Sequence, residues 1–233
     1  MTNTPRLLLL WDIDGTLLKS GGFGRCVIHE VYRAEFGEQA PSGVAFAGRT
    51  ELAIVRDYLG PRADEPTIVA GFMDRFRVAA HERGSTFMRD GGAVLPGARG
   101  ALERFAGRGD VVQSLLTGNL ETIARIKLSE SDLLRLVDFG VGAFGDDHIE
   151  RGDLVPVAQK KAAAQYGVEF AGAATVLIGD TPKDVAAALE HGARVIGVAS
   201  GEYSEDDLRG AGAHQVLPDL RDADALAAAL GLS

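Results

Sequence analysis

Cysteine is almost missing from this chain of 233 residues: Cys26 is the only one. No disulfide can form within the chain, and a reducing, cytoplasmic setting is the simpler expectation. A lone thiol of this kind is expected to pack as a small apolar side chain rather than to act as a nucleophile. Long apolar runs are missing too. The stretch Leu7 to Trp11, following polar Met1 to Pro5, is too short and wrongly flanked for a signal peptide or a bilayer span of roughly 20 residues. Positive charge is in deficit, with 24 Lys and Arg against 33 Asp and Glu and a formal charge of −9. That balance opposes broad contact with nucleic acid or an anionic membrane, so an anionic small substrate would need local cations or a metal. No repeat period, low-complexity linker or heptad seam stands out, and monomer and homodimer are equally compatible with the sequence.

What is present reads as a globular α/β chain. With 46% hydrophobic and 24% charged residues, a sizeable core is expected. Short apolar runs ending in Gly or Asp alternate with helical patterns, the signature of a parallel sheet wound with crossover helices. The predicted strands are Leu7 to Ile13, Val111 to Leu116, Val137 to Phe144, Thr175 to Ile178, Arg194 to Ala199 and Gln215 to Leu217. Between the first two lies a segment too long for a simple crossover. There Thr50 caps a helical stretch closed by Gly60, and Ile68, Phe72, Phe76 and Ala79 share one face of another. The expectation is a Rossmann-like core of residues 1–19 and 94–233 with a helical cap of residues 20–93 inserted into it. Glycines at Gly21 to Gly24 and the stretch from Arg89 to Gly97 flank the cap as hinges. Trp11, Phe72 and Phe76 are expected to fill cores, His148 to be exposed, and Asp222 to Leu230 to form a closing helix.

The chemistry concentrates where strands stop. Asp12 and Asp14 emerge from a strongly apolar strand in Trp11-Asp12-Ile13-Asp14-Gly15-Thr16, and the carboxyl ends of parallel strands are where such sheets bind ligands. Two close carboxylates cannot both ionise freely, which suits one as nucleophile and the other as a proton-holding acid. After the second strand, Thr117, Gly118 and Asn119 offer a hydroxyl and free N–H groups for phosphate oxygens, or else a plain turn. After a later strand, Asp180 and Asp184 bring further oxygens for a Mg²⁺ site. Asp184, three residues beyond Thr181 with Pro182 between, also fits a capping box.

These motifs resemble those of the haloacid dehalogenase-like hydrolase superfamily. Asp12 to Leu17 match its first motif, Asp-x-Asp-Gly-Thr; Thr117 matches the second and the Asp180/Asp184 cluster the fourth. The third, a Lys or Arg that neutralises phosphate, departs: Asp153 stands at the expected place, leaving Arg151 as first choice and Lys160 or Lys161 as others, their alternative being a solvated helix face. The resemblance implies a Mg²⁺-dependent phosphatase of small phosphorylated metabolites. Asp12 would form an aspartyl-phosphate, Asp14 would serve as acid/base, and Asp12, the Asp14 carbonyl, Asp180 and Asp184 would hold the metal. The insertion resembles the caps of phosphoglycolate phosphatases and beta-phosphoglucomutases, and Arg49, beside a helix start, would face an anionic substrate or lie on the surface. A phosphomutase using the same aspartates, or a phosphate- and metal-binding module of weak catalysis, are the alternatives. Asp14 argues against a dehalogenase, which has no leaving oxygen to protonate. The lack of any lysine in the cap argues against a phosphonatase that needs a Schiff base.

Overall fold

The computed structural model describes residues 4–232. Its centre is a parallel five-stranded sheet built from β1 (Leu7–Trp11), β4 (Val111–Leu115), β5 (Thr175–Gly179), β6 (Arg194–Val198) and β7 (Gln215–Leu217), in the order β4-β1-β5-β6-β7. Strand β1 is wholly buried and alternates between two cores, because successive side chains in a strand point to opposite faces. Leu7, Leu9 and Trp11 pack on one side, against α4 (Ala98–Phe105), α5 (Glu121–Glu130) and α9 (Ala223–Leu230). Leu8 and Leu10 pack on the other, against α6 (Leu154–Tyr166), α7 (Pro182–Glu190) and α8 (Glu205–Gly210). Burial on both faces explains why β1 reads as a continuous apolar run.

Between β1 and β4 the chain makes a ribbon of β2 (Leu18–Lys19) against β3 (Ala93–Val94), paired antiparallel. Inserted between those two short strands are α1 (Phe23–Phe36), α2 (Glu51–Leu59) and α3 (Pro66–Arg83). They form the helical cap, whose apolar centre comes from Val27, Val31, Tyr58, Phe72 and Phe76 and runs on into the α5 side of the core. Thr50 caps α2 by accepting from the Ala53 N–H, and Gly60 closes it. Trp11, Phe72 and Phe76 are buried and His148 is exposed, as their surroundings in sequence suggest.

Two expectations are corrected. The Val137 to Phe144 run is not a strand: Asp138 caps a 3-10 turn at Phe139–Val141, and only an isolated bridge from Leu116 to Ala143 survives. Asp138 and the two glycines, Gly140 and Gly142, favour the turn over extended pairing. Cys26 is exposed on α1 rather than packed in the core.

Candidate active site

Asp12 continues β1 by donating its N–H to the Ile178 carbonyl (2.9 Å) on β5. The chain then turns back, with the Leu17 and Leu18 N–H groups both on the Ile13 carbonyl. Gly15 makes this possible: its φ is 85°, and a Cβ there would stand 2.2 Å from an Asp180 oxygen. The close approach lets the Asp180 carboxylate, at the end of β5, accept from the Thr16 hydroxyl (3.1 Å). Asp184 completes the capping box of α7, its Oδ2 accepting from the Thr181 N–H (3.0 Å) and hydroxyl (2.7 Å). Its Oδ1 accepts from Arg151 at 2.5 Å. Capping and active-site placement therefore belong to the same side chain.

Arg151 is buried and reaches Asp12 Oδ1 at 2.9 Å, so the guanidinium bridges the ends of β1 and α7. Its Nε is buried with no partner among the described residues. Carboxylate oxygens of Asp12, Asp180 and Asp184 come within 4.8 Å of one another. Burial pushes Asp12 up to about 6 against the pull of Arg151, with Asp184 and Asp14 adding to the rise. Asp180 is pushed up to about 8 by burial, then by Asp12 and Asp184. Three buried carboxylates facing one guanidinium leave negative charge uncompensated, and an all-oxygen donor set of this kind fits a hard divalent cation such as Mg²⁺.

A second cluster lies on the β4 side. Thr117 is buried, and its Oγ1 accepts from the Asn119 N–H (3.3 Å) and Nδ2 (2.9 Å). Asn119 Nδ2 also donates to Asp14 Oδ2 (2.7 Å). Lys127, which the sequence reading passes over, rises from α5 to this point with its side chain only 2% exposed. Its Nζ donates to Asp14 Oδ1 (2.8 Å), Asp14 Oδ2 (2.6 Å) and Asn119 Oδ1 (2.6 Å). A signal was available: Lys127 shares the buried face of α5 with Ile123, Ala124 and Leu128, an unusual place for an ammonium.

Glu51, also passed over, opens cap helix α2 and is buried. Its N–H donates to the Gly118 carbonyl (2.7 Å), and its Oε2 accepts from the Leu120 N–H (2.6 Å). Burial raises its carboxyl to about 8, against the pull of Lys127 and the Leu120 N–H. Thr50 adds a bond from its hydroxyl to the Ile149 carbonyl (2.5 Å).

Asp12, Asp14, Thr117, Gly118, Asn119, Arg151 and Asp180 are brought to one cavity of about 580 Å³, roofed by Phe46, Arg49, Glu51 and Ile54 of the cap. Arg49 lines it but turns its guanidinium onto Asp57 (2.6 Å) and the carbonyls of Ala45 and Ala53. Lys161 does not join the site. Its ammonium lies on Asp147 (3.0 Å) and the Gly142 carbonyl (2.9 Å), because α6 begins at Leu154 and about two helical turns separate Lys161 from the loop that carries Arg151 toward the sheet edge. Lys160 is exposed on the same helix.

Residues 150–223 match the HAD-hydrolase-like family model. No curated protein matches the chain by sequence. Solved structures match over nearly the whole length. A predicted phosphatase from Clostridium acetobutylicum is 19% identical with a TM-score of 0.67, covering 95% of this chain and 96% of its own. A hydrolase from Pseudomonas syringae is 22% identical, TM-score 0.67, covering 94% and 96%. A predicted phosphoglycolate phosphatase from Haemophilus somnus is 16% identical, TM-score 0.65, covering 97% and 99%. Residues 4–232 thus have the fold of the haloacid dehalogenase-like hydrolases. Within a haloacid dehalogenase-like fold, the matched segment begins just before Arg151 and takes in Asp180 and Asp184.

Proposed function

We propose that this chain is a Mg²⁺-dependent phosphatase that hydrolyses a small phosphomonoester through an aspartyl-phosphate on Asp12. The observation that carries the reading is the convergence of Asp12, Asp180, Asp184 and Arg151 at one end of the sheet, under a cap that lines the opposite wall. In this reading residues 20–93 are the cap and residues 1–19 and 94–233 the catalytic core. Asp12, Asp180 and the Asp14 carbonyl hold the metal, with Asp184 behind them, and the bound ion supplies charge neutralisation for the phosphate.

Arg151 steadies Asp12 and lines the cavity, so its guanidinium meets phosphate charge at the same edge. Both lone pairs of Thr117 Oγ1 are taken by Asn119, so its hydrogen is left to donate to a phosphate oxygen. A carboxylate oxygen of Asp12 forms a bond to phosphorus as the bond from phosphorus to the leaving oxygen breaks. Asp14 delivers a proton to that oxygen, releasing the alcohol. Asp14, now ionised, takes a proton from water as the water attacks the aspartyl-phosphate, freeing phosphate and restoring both aspartates.

The test is release of phosphate from para-nitrophenyl phosphate with Mg²⁺. Activity should vanish in Asp12→Asn and fall strongly in Asp14→Asn, and undiminished turnover by purified Asp12→Asn would overturn the reading. Product analysis with sugar phosphates separates hydrolysis from transfer: an isomerised sugar phosphate without free phosphate would reassign the chain to the mutases.

A further inference from the structure

We infer that Lys127 is a positioning residue for the acid/base: its buried ammonium, braced by Asn119, holds the Asp14 carboxylate at the cavity wall for proton delivery to the leaving oxygen. The inference rests on the phosphatase reading and deepens it.

An ammonium has three hydrogens and no acceptor. Those of Lys127 have three acceptors within 2.8 Å, the two Asp14 oxygens and Asn119 Oδ1. None is left for a substrate phosphate. Arg151 differs in that its Nη2 is shared between two carboxylates, those of Asp12 and Asp184. The two buried cations divide the carboxylates between them: Arg151 takes the nucleophile and Asp184, Lys127 the acid/base.

The frame around Asp14 is closed on one side only. Its Oδ2 takes Lys127 Nζ and Asn119 Nδ2, whereas Oδ1 takes Lys127 alone. The Asp14 side chain is 37% exposed and lines the cavity, so Oδ1 is the oxygen with capacity toward a bound ester. Asn119 is fixed in turn, since Lys127 can only donate to its carbonyl oxygen while Asp14 and Thr117 accept from its amide. Free rotation of the Asp14 carboxyl would lose this orientation, and proton transfer depends steeply on placement. A salt bridge built only for stability would be poorly motivated here, because burying an ammonium against a half-exposed carboxylate contributes little net stabilisation.

The experiment compares kcat/KM of wild type and Lys127→Met on two substrates. One is a phosphate ester of a simple primary alcohol, whose leaving oxygen needs a proton. The other is 2,4-dinitrophenyl phosphate, whose leaving group departs without one. The expected result is a loss of about a hundredfold on the alkyl ester and a ratio of alkyl to aryl kcat/KM at least about tenfold lower than in wild type. Taking the ratio within one preparation cancels any difference in folded fraction. Adding Lys127→Met to Asp14→Asn should cost the alkyl ester little more, as two residues acting as one unit do. Equal losses on both substrates, or a fully additive double variant, would overturn the role of Lys127 and leave the phosphatase reading intact. Retained activity in Asp12→Asn would instead remove that reading.

Discussion

At the scale of single residues, buried charge organises this site. Arg151, Lys127 and Glu51 are each buried, and each is tied to backbone or carboxylate partners at the mouth of the sheet. Losing Arg151 would leave Asp12 and Asp184 without their guanidinium, so Arg151→Ala should lower kcat/KM by about a hundredfold or more. Lys161, paired with Asp147 away from the cavity, is the control: Lys161→Ala should stay within about a factor of two. Steady-state kinetics on one substrate measures both. Glu51 predicts a pH effect. Its carboxyl is raised from 4.5 to about 8, so the folded chain keeps a proton that the unfolded chain releases. That contribution to stability is complete below the unfolded value and is lost as pH rises through the folded one. Thermal unfolding of Glu51→Gln should therefore gain on wild type between about pH 5 and pH 9, and parallel melting curves across that range would contradict the assignment.

Among the elements, the contact of the cap with the loop after β4 is a tight joint. The loop before α2 lies so close to Gly118 that a Cβ there would stand 1.9 Å from the Arg49 carbonyl oxygen. Gly145 is packed against Gly118 in the same way: a Cβ on Gly145 would stand 1.9 Å from the Gly118 carbonyl oxygen. Backbone stacked on backbone cannot yield as a flexible side chain would. Gly118→Ala should thus hold the cap away from the core, cutting kcat/KM by about tenfold or more, since closure excludes water and completes the site. Circular dichroism should stay unchanged, because the strands and helices themselves are not touched. The β2–β3 ribbon, where Gly21 lies against the Gly91 backbone, is the covalent path between cap and sheet.

For the whole molecule, the proposed metal site at the carboxylate cluster predicts a link between Mg²⁺, stability and pH. Asp180 is raised to about 8 and Asp12 to about 6, so without metal Asp180 holds a proton at neutral pH and Asp12 gains one as pH falls through its value, and a cation must displace them. Mg²⁺ should raise the melting temperature, and the shift should shrink as pH falls below about 8, with protons competing for the same oxygens. Chelation should reverse it, and Asp180→Asn should abolish most of it. A melting temperature indifferent to Mg²⁺ at pH 8 would count against the site.

The sequence by itself determined the elements whose signals are local. Strand β1 shows as an apolar run because both of its faces are buried, and α2 shows through Thr50 and Gly60 because capping is decided within a few residues. Asp12, Asp14 and Asp180 stand out because carboxylates just past strand ends have no role in a core, and Asp184 because it stands three residues beyond Thr181 in a capping pattern. Val137 to Phe144 misleads for the converse reason: apolar content gives no direction when Asp138, Gly140 and Gly142 favour a turn. Only the tertiary structure decided which cation meets which carboxylate. Lys127 is 113 positions from Asp14 and Arg151 is 33 from Asp184, so the chain pattern near either residue holds no trace of its partner. Those pairings arise where α5 and the loop before α6 pack against the sheet, and the desolvation that makes them matter exists only once that packing has excluded water.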